Sequence, residues 1–335
     1  MKRIISRICT LLLSVLVTSV LLFSPATILA MTYTFTSIDY PESGTKETRA
    51  HRINDANQVT GRYMDTSNYW HGFLYSGGSF TTFGNYPGAQ NSYPFGINNS
   101  GQFVGYYWNP PDNFYHGFLF DGTNFIAISY PGAQNTSITG INDSVKIVGS
   151  YWPGSSPVPG PGSKGFLYIG GNFTQIAHPD PNDRLTSSLD INNSDQIVGY
   201  YQDINYKYHG FIVRYSGGSI DWGNASYLNY PGATNTEAMG INHAGQLVGT
   251  YWSAPDNLSH GFFYSNGEFS QVDYPNSKIT IPYGINNSGQ IVGRYQDGSG
   301  NIHGFLATPI PEPGTILLIG SGLLGLAGLR RKFKK

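Results

Sequence analysis

The pattern of apolar and polar positions recurs six times along this chain, at intervals of 44 to 50 residues. An Ile-Asn pair marks each recurrence, with its isoleucine at Ile53, Ile97, Ile141, Ile191, Ile241 and Ile285. A Gly-Phe pair follows within each unit, with its phenylalanine at Phe73, Phe118, Phe166, Phe211, Phe262 and Phe305. Self-similarity at such a period is the signature of a repeat architecture.

The first five units each contain four short runs of aromatic and β-branched residues, and the sixth contains three. In the second unit they end at Ile97, Tyr107, Phe120 and Tyr130. Asn, Ser and Gly separate the first run from the second, and Asp-Gly, Asn-Gly or Gly-Gly pairs separate the third from the fourth. These residues tolerate positive φ and are typical of hairpin turns. Val145 stands at the turn glycine of the third unit, and the repeat pattern does not explain it.

Four antiparallel strands per unit predict an all-β fold, specifically a six-bladed β-propeller. A lone strand, Tyr33 to Tyr40, precedes the first unit, and the last unit lacks a fourth run after Leu306. We therefore expect N-to-C strand closure, in which the first strand completes the last blade and removes a free sheet edge. The alternative is an open β-solenoid.

The N-terminus has the pattern of a signal peptide. Lys2, Arg3 and Arg7 precede an apolar run from about Ile8 to Phe23, and small residues follow it. We predict Sec-dependent export with residues 1–30 removed; the alternative is an uncleaved anchor helix. The one cysteine, Cys9, lies in this segment, so the mature chain can form no disulfide and offers no thiol ligand or nucleophile.

The C-terminus has three parts in a fixed order. The motif Pro311, Glu312, Pro313 precedes an apolar stretch over residues 315–329, and Arg330 and Arg331 open a basic end. The stretch is short for a membrane span, and the basic end should stay cytoplasmic.

This pattern closely resembles the PEP-CTERM sorting signal of Gram-negative bacteria. The resemblance implies recognition by an exosortase, transient membrane insertion through a C-terminal transmembrane helix, and delivery to the cell envelope or extracellular matrix. The alternative is an ordinary membrane anchor. We divide the chain into a signal peptide (1–30), the propeller (31–308) and the sorting tail (309–335).

The repeat itself resembles the HAF family of extracellular repeats, whose units carry the same Gly-Phe and Gly-Ile-Asn features. The resemblance covers about residues 33 to 306 and implies an exported, repetitive β protein. It implies no defined activity.

Charge is distributed unevenly. The chain has 19 Lys and Arg against 20 Asp and Glu, but eight of the basic residues lie at the two ends. Residues 8–329 therefore keep 11 basic against 20 acidic residues, a net charge of −9. This balance disfavours nucleic acid as a partner, and it would repel acidic polysaccharide unless cations bridge the two.

Histidine and acidic residues provide the candidate chemistry. A histidine precedes the Gly-Phe pair in five units, at His71, His116, His209, His260 and His303. One per unit is too dispersed for a zinc site, so we expect each to form hydrogen bonds within its own unit. The alternative is a ring of histidines around the axis that binds a cation. The acids outside the repeat pattern share no motif: Asp183, Asp190, Asp195, Glu237 and Asp256.

No nucleophile elbow or phosphate-binding loop is present, so we predict no enzyme, no cofactor and no metal. A glycan-acting hydrolase, which needs a facing carboxylate pair, is the minor alternative.

Aromatic residues give the strongest indication of a ligand surface. They cluster at and after the second run of several units, where the loops of a propeller share one face. The predicted face consists of Trp70, Trp108, Tyr115, Trp152, Tyr208 and Trp252. Rings beside amides suit sugars; the alternative is that these rings pack between blades. We therefore expect an exported, non-catalytic binding or structural module for exopolysaccharide or surface proteins. The alternative is a display scaffold without a fixed ligand.

Overall fold

The computed structural model describes residues 32–310, apart from residues 84, 111 and 155–158. Strands and turns make up this part of the chain, which contains no helix, so the all-β prediction is confirmed. None of it forms a helix with the length and hydropathy that a membrane crossing requires. The predicted signal helix, the predicted transmembrane helix and the sorting residues Pro311, Glu312, Pro313, Arg330 and Arg331 lie outside the described residues.

The described residues form 24 strands, numbered here along the chain. The first is β1 (Tyr33–Ile38). Unit 1 contains β2 (Glu47–Ile53), β3 (Val59–Met64), β4 (Trp70–Ser76) and β5 (Ser79–Thr82). Unit 2 contains β6 (Asn91–Ile97), β7 (Phe103–Asn109), β8 (Phe114–Phe120) and β9 (Phe125–Ile128). Unit 3 contains β10 (Asn135–Ile141), β11 (Ile147–Trp152), β12 (Lys164–Ile169) and β13 (Asn172–Ile176).

The second half of the chain follows the same order. Unit 4 contains β14 (Leu185–Ile191), β15 (Gln196–Gln202), β16 (Tyr208–Ser216) and β17 (Ser219–Leu228). Unit 5 contains β18 (Ala233–Ile241), β19 (Leu247–Ser253), β20 (Ser259–Ser265) and β21 (Glu268–Gln271). Unit 6 contains β22 (Ile279–Ile285), β23 (Ile291–Gln296) and β24 (Ile302–Pro309).

Units 2 to 5 are separate four-stranded antiparallel sheets, which confirms the predicted four-stranded repeat. Units 1 and 6 belong to one eight-stranded sheet, joined by a single parallel bridge between Glu47 and Ile302. In this sheet β1 pairs antiparallel with β24, from Tyr33 opposite Pro309 to Ile38 opposite Gly304. The beginning of the chain therefore supplies the fourth strand of unit 6.

The first strands of the six units surround a common axis. Each contacts the first strand of the next unit, and β22 contacts β2, so the contacts form a closed cycle. Each also has an irregular register two to three residues before its Ile-Asn pair, as between Ala50 and Arg52. A bulge of this kind re-aims a side chain, here towards the axis.

The Ile-Asn motif connects neighbouring units. The side-chain amide of each buried asparagine donates a hydrogen bond to the backbone carbonyl of the equivalent asparagine in the next unit, and the last bond runs from Asn286 to Asn54. The donor–acceptor distances are 2.9 to 3.4 Å. The ring consists of Asn54, Asn98, Asn142, Asn192, Asn242 and Asn286. Each unit is thus tied to both neighbours at the same depth.

The core of each unit is the phenylalanine of its Gly-Phe pair, at most 1% exposed in all six. The facing second strand carries glycine because no side chain fits there: a Cβ on Gly61 would lie 2.3 Å from the Phe73 ring. Between units, an aromatic ring from the preceding loop stacks on the tyrosine of the second strand, with ring centroids 3.6 to 3.9 Å apart. Packing and stacking therefore repeat almost identically around the axis.

Candidate functional site

A cavity of about 170 Å³ lies on the axis and receives side chains from the first strand of every unit. Both serine and threonine hydroxyls and aromatic rings line it. The hydroxyls belong to Ser137, Thr139, Ser150 and Ser187, and the rings to Phe95, Tyr106, Tyr200 and Tyr283. Pro159, from the long Pro/Gly/Ser-rich loop of unit 3, also borders it. The cavity therefore combines apolar surface with hydrogen-bonding groups.

The wall of the axis is where the six units differ. The position four residues before the isoleucine of each Ile-Asn pair carries Arg49, Tyr93, Ser137, Ser187, Glu237 and Ile281. The residues opposite these on the second strand are Arg62, Tyr106, Ser150, Tyr200, Thr250 and Arg294. Units 6 and 1 contribute the basic groups, unit 2 aromatic rings, units 3 and 4 mainly hydroxyls, and unit 5 a carboxyl group. A repeat that folds in the same way six times thus encloses an asymmetric site.

A buried ion pair closes one end of the cavity. Four units have glycine immediately before the Ile-Asn pair, but unit 1 has Arg52 and unit 4 has Asp190. The Arg52 Nε lies 3.3 Å from Asp190 Oδ2. The same guanidinium donates hydrogen bonds to the backbone carbonyls of Leu189, Met239 and Tyr283. Glycine in the other units leaves the space that this pair occupies. We call the pair of Arg52 and Asp190 the neck.

Among the described residues that line the cavity, Glu237 is the one acid. Burial raises the pKa of Glu237 to about 8. At neutral pH its carboxyl group is therefore mainly protonated and can donate a hydrogen bond as well as accept one. Glu237 was one of the off-pattern acids noted in the sequence.

The aromatic residues predicted from the sequence divide into two groups. Trp70, Tyr115 and Tyr208, which we call the aromatic rim, contact residues of the axial wall. The Trp70 ring packs on Tyr93, Tyr115 on Tyr93 and Tyr106, and Tyr208 on Tyr200, with ring centroids 5.3 to 6.4 Å apart. All three are half-buried.

The other three predicted residues have different surroundings. Trp152 is only 2% exposed, with its ring 6.3 Å from that of Tyr115. Trp108 and Trp252 lie half-buried near the ends of β7 and β19, opposite Tyr115 and Ser259. For Trp152 the packing alternative describes the structure better than an open ligand face.

The five recurrent histidines bond within their own units, as predicted. Each imidazole lies 2.8 to 3.5 Å from an aspartate of the loop before it. These partners are Asp65, Asp112, Asp203, Asp256 and Asp297. Within the described ranges, no three His, Cys, Asp or Glu side chains are arranged to hold a metal ion.

Sequence reasoning missed the arginines of the axial wall. Nothing in the local pattern singles out Arg49, Arg52, Arg62 and Arg294; only a comparison of the six units column by column does. Aligning the six units on Ile-Asn would have found Arg52 and Asp190 as the two departures from glycine.

Comparison with known proteins supports the sorting signal and the fold. Residues 309–332 match the PEP-CTERM protein-sorting motif, which confirms that prediction. No curated protein matches the chain. The resemblance of the repeat to the HAF family stays a prediction.

Several solved structures share the architecture at low identity. A mutant of AofleA from Arthrobotrys oligospora is 11% identical, covers 86% of this chain and 92% of its own, and has a TM-score of 0.50. The lectin of Aleuria aurantia, described as a six-bladed β-propeller with a novel fucose recognition mode, is 13% identical, covers 82% and 91%, and has a TM-score of 0.46. A gluconolactonase from Xanthomonas campestris is 8% identical, covers 85% and 93%, and has a TM-score of 0.49. At such identities the likeness shows the fold alone.

Proposed function

We propose that this chain is an exported, non-catalytic carbohydrate-binding protein of a Gram-negative cell envelope, with its site at the axial cavity and the aromatic rim. The PEP-CTERM motif implies export to the cell surface with exosortase processing. The ligand class follows from the axial wall, which differs from unit to unit while the asparagine ring and the phenylalanine cores do not. Folding alone does not require that variation.

The chemistry of the wall suits a sugar. Aromatic rings offer flat apolar surfaces beside hydroxyl groups, and pockets that combine apolar walls with a few placed polar groups are the usual form of a small-ligand site. The protonated Glu237 adds a donor inside the cavity. Exopolysaccharide of the same envelope is the ligand that this location favours.

The finer architecture belongs to the same proposal. The six units act as blades of one ring over residues 31–308, and β1 closes that ring by pairing with β24. The basic C-terminal end would hold the chain at the membrane through a transmembrane helix until an exosortase releases it.

Hydrolysis is not expected at this site. Glycosidases use two carboxyl groups on either side of the bond that is cut. Among the described residues the cavity is lined by one carboxyl group, that of Glu237, and the nearby Asp190 is committed to Arg52. Binding without turnover is therefore the expected outcome.

The test is a glycan array probed with the exported protein and three variants. Trp70→Ala and Tyr208→Ala remove rim contacts with the axial wall, so each should lower the affinity for a bound glycan at least tenfold, about 1.4 kcal/mol. Trp252→Ala is the matched control, since Trp252 is also half-buried but lies at the end of β19 opposite Ser259. Equal binding by all four proteins, or no glycan bound by any, would refute the proposed site.

A further inference from the structure

Three arginines lie side by side where units 6 and 1 meet; we call Arg49, Arg62 and Arg294 the arginine cluster. Arg49 and Arg62 are directly opposite each other in the β2–β3 register. Arg294 donates a hydrogen bond to the Tyr283 hydroxyl at 3.1 Å, and Tyr283 also lines the cavity. Like charges directly opposite on paired strands are destabilising, so this arrangement has a cost to the fold.

Arg62 is the most buried member of the cluster. It is 9% exposed and enclosed by rings, with its guanidinium carbon 4.4 Å from the Trp70 centroid and 4.9 Å from that of Tyr93. Its Nε is buried and makes no hydrogen bond within the described part of the chain, and the same holds for the Nε of Arg49. Ring faces attract a cation, but they leave the Nε–H without an acceptor. A buried charge without a partner is normally avoided, because its desolvation is expensive.

The neck arginine shows what a compensated arginine looks like in the same molecule. Its Nε also makes no hydrogen bond, but Arg52 forms an ion pair with Asp190 and its terminal nitrogens donate to three backbone carbonyls. The arginine cluster has one nearby carboxylate, Glu47, which accepts from Arg49 at 2.9 Å. Three positive charges therefore face one negative charge, an excess of two.

Neighbouring groups respond to this excess. Burial alone would raise the pKa of Tyr283, but Arg294, Arg49 and Arg62 lower it. Burial and then Arg62 hold the pKa of the buried His51 well below its ordinary value. The field in this corner is positive although the exported part of the chain is acidic overall.

We propose that the arginine cluster binds the carboxylate of an acidic sugar, of the hexuronate type. This deepens the proposed function and rests on it. The planar fork of a guanidinium matches a carboxylate in two parallel hydrogen bonds, which gives Arg62 the acceptors that it lacks. Trp70 lies 4.9 Å from Arg49 and 4.4 Å from Arg62 and is half-buried, so its ring is placed to contact the sugar that bears the carboxylate.

The experiment measures binding of trigalacturonate, the matched neutral galactose trisaccharide and acetate to the full exported protein by calorimetry. Moderate salt, about 0.15 M, screens the long-range repulsion from the acidic surface. Trigalacturonate should bind at least tenfold more tightly than the neutral trisaccharide, and acetate should bind far more weakly than either. Arg62→Met and Arg49→Gln should each remove the preference for the acidic sugar. Arg214→Gln is the matched control, because Arg214 is exposed on β16 and its loss changes the net charge equally.

The thermal midpoint of Arg62→Met distinguishes a ligand-binding role of Arg62 from a purely structural one. If Arg62 serves to bind ligand, Arg62→Met removes a buried charge and should raise the thermal midpoint of the ligand-free protein. The same substitution should abolish the midpoint shift that trigalacturonate causes. A lower midpoint with an undiminished ligand shift would overturn the inference.

The remaining outcomes separate the two proposals. Equal affinity for acidic and neutral trisaccharides, lost in Trp70→Ala, would overturn the arginine inference and leave carbohydrate binding standing. Acetate binding as tightly as trigalacturonate would overturn the acidic-sugar assignment. No binding of any saccharide on the array or in calorimetry would overturn both.

Discussion

At the scale of single residues, the axial environment gives two buried acids, Asp190 and Glu237, different properties. Asp190 and Glu237 were both recognised as off-pattern acids. Their environments differ completely, because Asp190 is paired with Arg52 whereas Glu237 faces the cavity. Periodicity assigns a residue to a column of the repeat; it does not say which side chains from other units share its space.

Glu237 gives a prediction for the pH dependence of stability. Its pKa is about 8 in the folded protein and 4.5 ordinarily. Between these values the folded state retains a proton that the unfolded chain has released, so the free energy of unfolding falls as pH rises, by up to about 1.4 kcal/mol per pH unit. Glu237→Gln should lose this contribution and be more stable than the parent at pH 8, but not at pH 4.5.

Urea denaturation of both proteins between pH 4.5 and 9 measures the difference. Glu268→Gln, at an exposed glutamate of β21, is the matched control and should keep the parental profile. A Glu237→Gln profile that runs parallel to the parent would show that the carboxyl group ionises in the folded protein at an ordinary pH.

At the scale of elements, the hairpins were predictable because turn residues recur in fixed places. In the turn after each Ile-Asn pair, the equivalent position adopts a left-handed conformation in all six units, with φ between 57° and 78°. Glycine occupies this place in three units, at Gly101, Gly245 and Gly289. Val145, which the sequence pattern left unexplained, adopts φ 57°. The Asn142 side chain fixes the turn by accepting from the backbone of Lys146, and Val145 packs against the core of its unit.

This comparison predicts opposite effects for reciprocal substitutions. A β-branched residue in the left-handed region costs about 1 to 2 kcal/mol. Val145→Gly should therefore stabilise the protein, by less than that amount because some apolar contact is lost. Gly101→Val should destabilise it by about 1 to 2 kcal/mol, since a Cβ there meets no atom closer than 3.8 Å and strain alone acts. The urea midpoints of the two variants, each compared with that of the parent protein, test this prediction. A destabilised Val145→Gly variant would mean that the packing of Val145 outweighs its backbone strain.

At the scale of the whole molecule, the repeat count predicted the four-stranded architecture but not what lies on the axis. The asparagine ring is formed by the Ile-Asn motif, which in a single unit marks only the end of the first strand. The neck depends on two residues 138 positions apart that interrupt the same glycine column. Such a contact exists only once the units are arranged around an axis, so one unit read along the chain gives no sign of it.

The neck gives the last prediction, a double-mutant cycle on Arg52→Gly and Asp190→Gly. Burial raises the pKa of Asp190, and Arg52 opposes that shift, so the carboxylate depends on its partner. Arg52→Gly alone should cost about 3 to 5 kcal/mol, because it leaves Asp190 buried without its cation. The double variant restores glycine in all six units and removes both charges, so it should be less destabilised than the sum of the single variants by about 1 to 3 kcal/mol. Strict additivity in urea denaturation would show that the pair is not coupled. In that case, the hydrogen bonds from Arg52 to the backbone carbonyls of units 4, 5 and 6 would alone hold the neck closed.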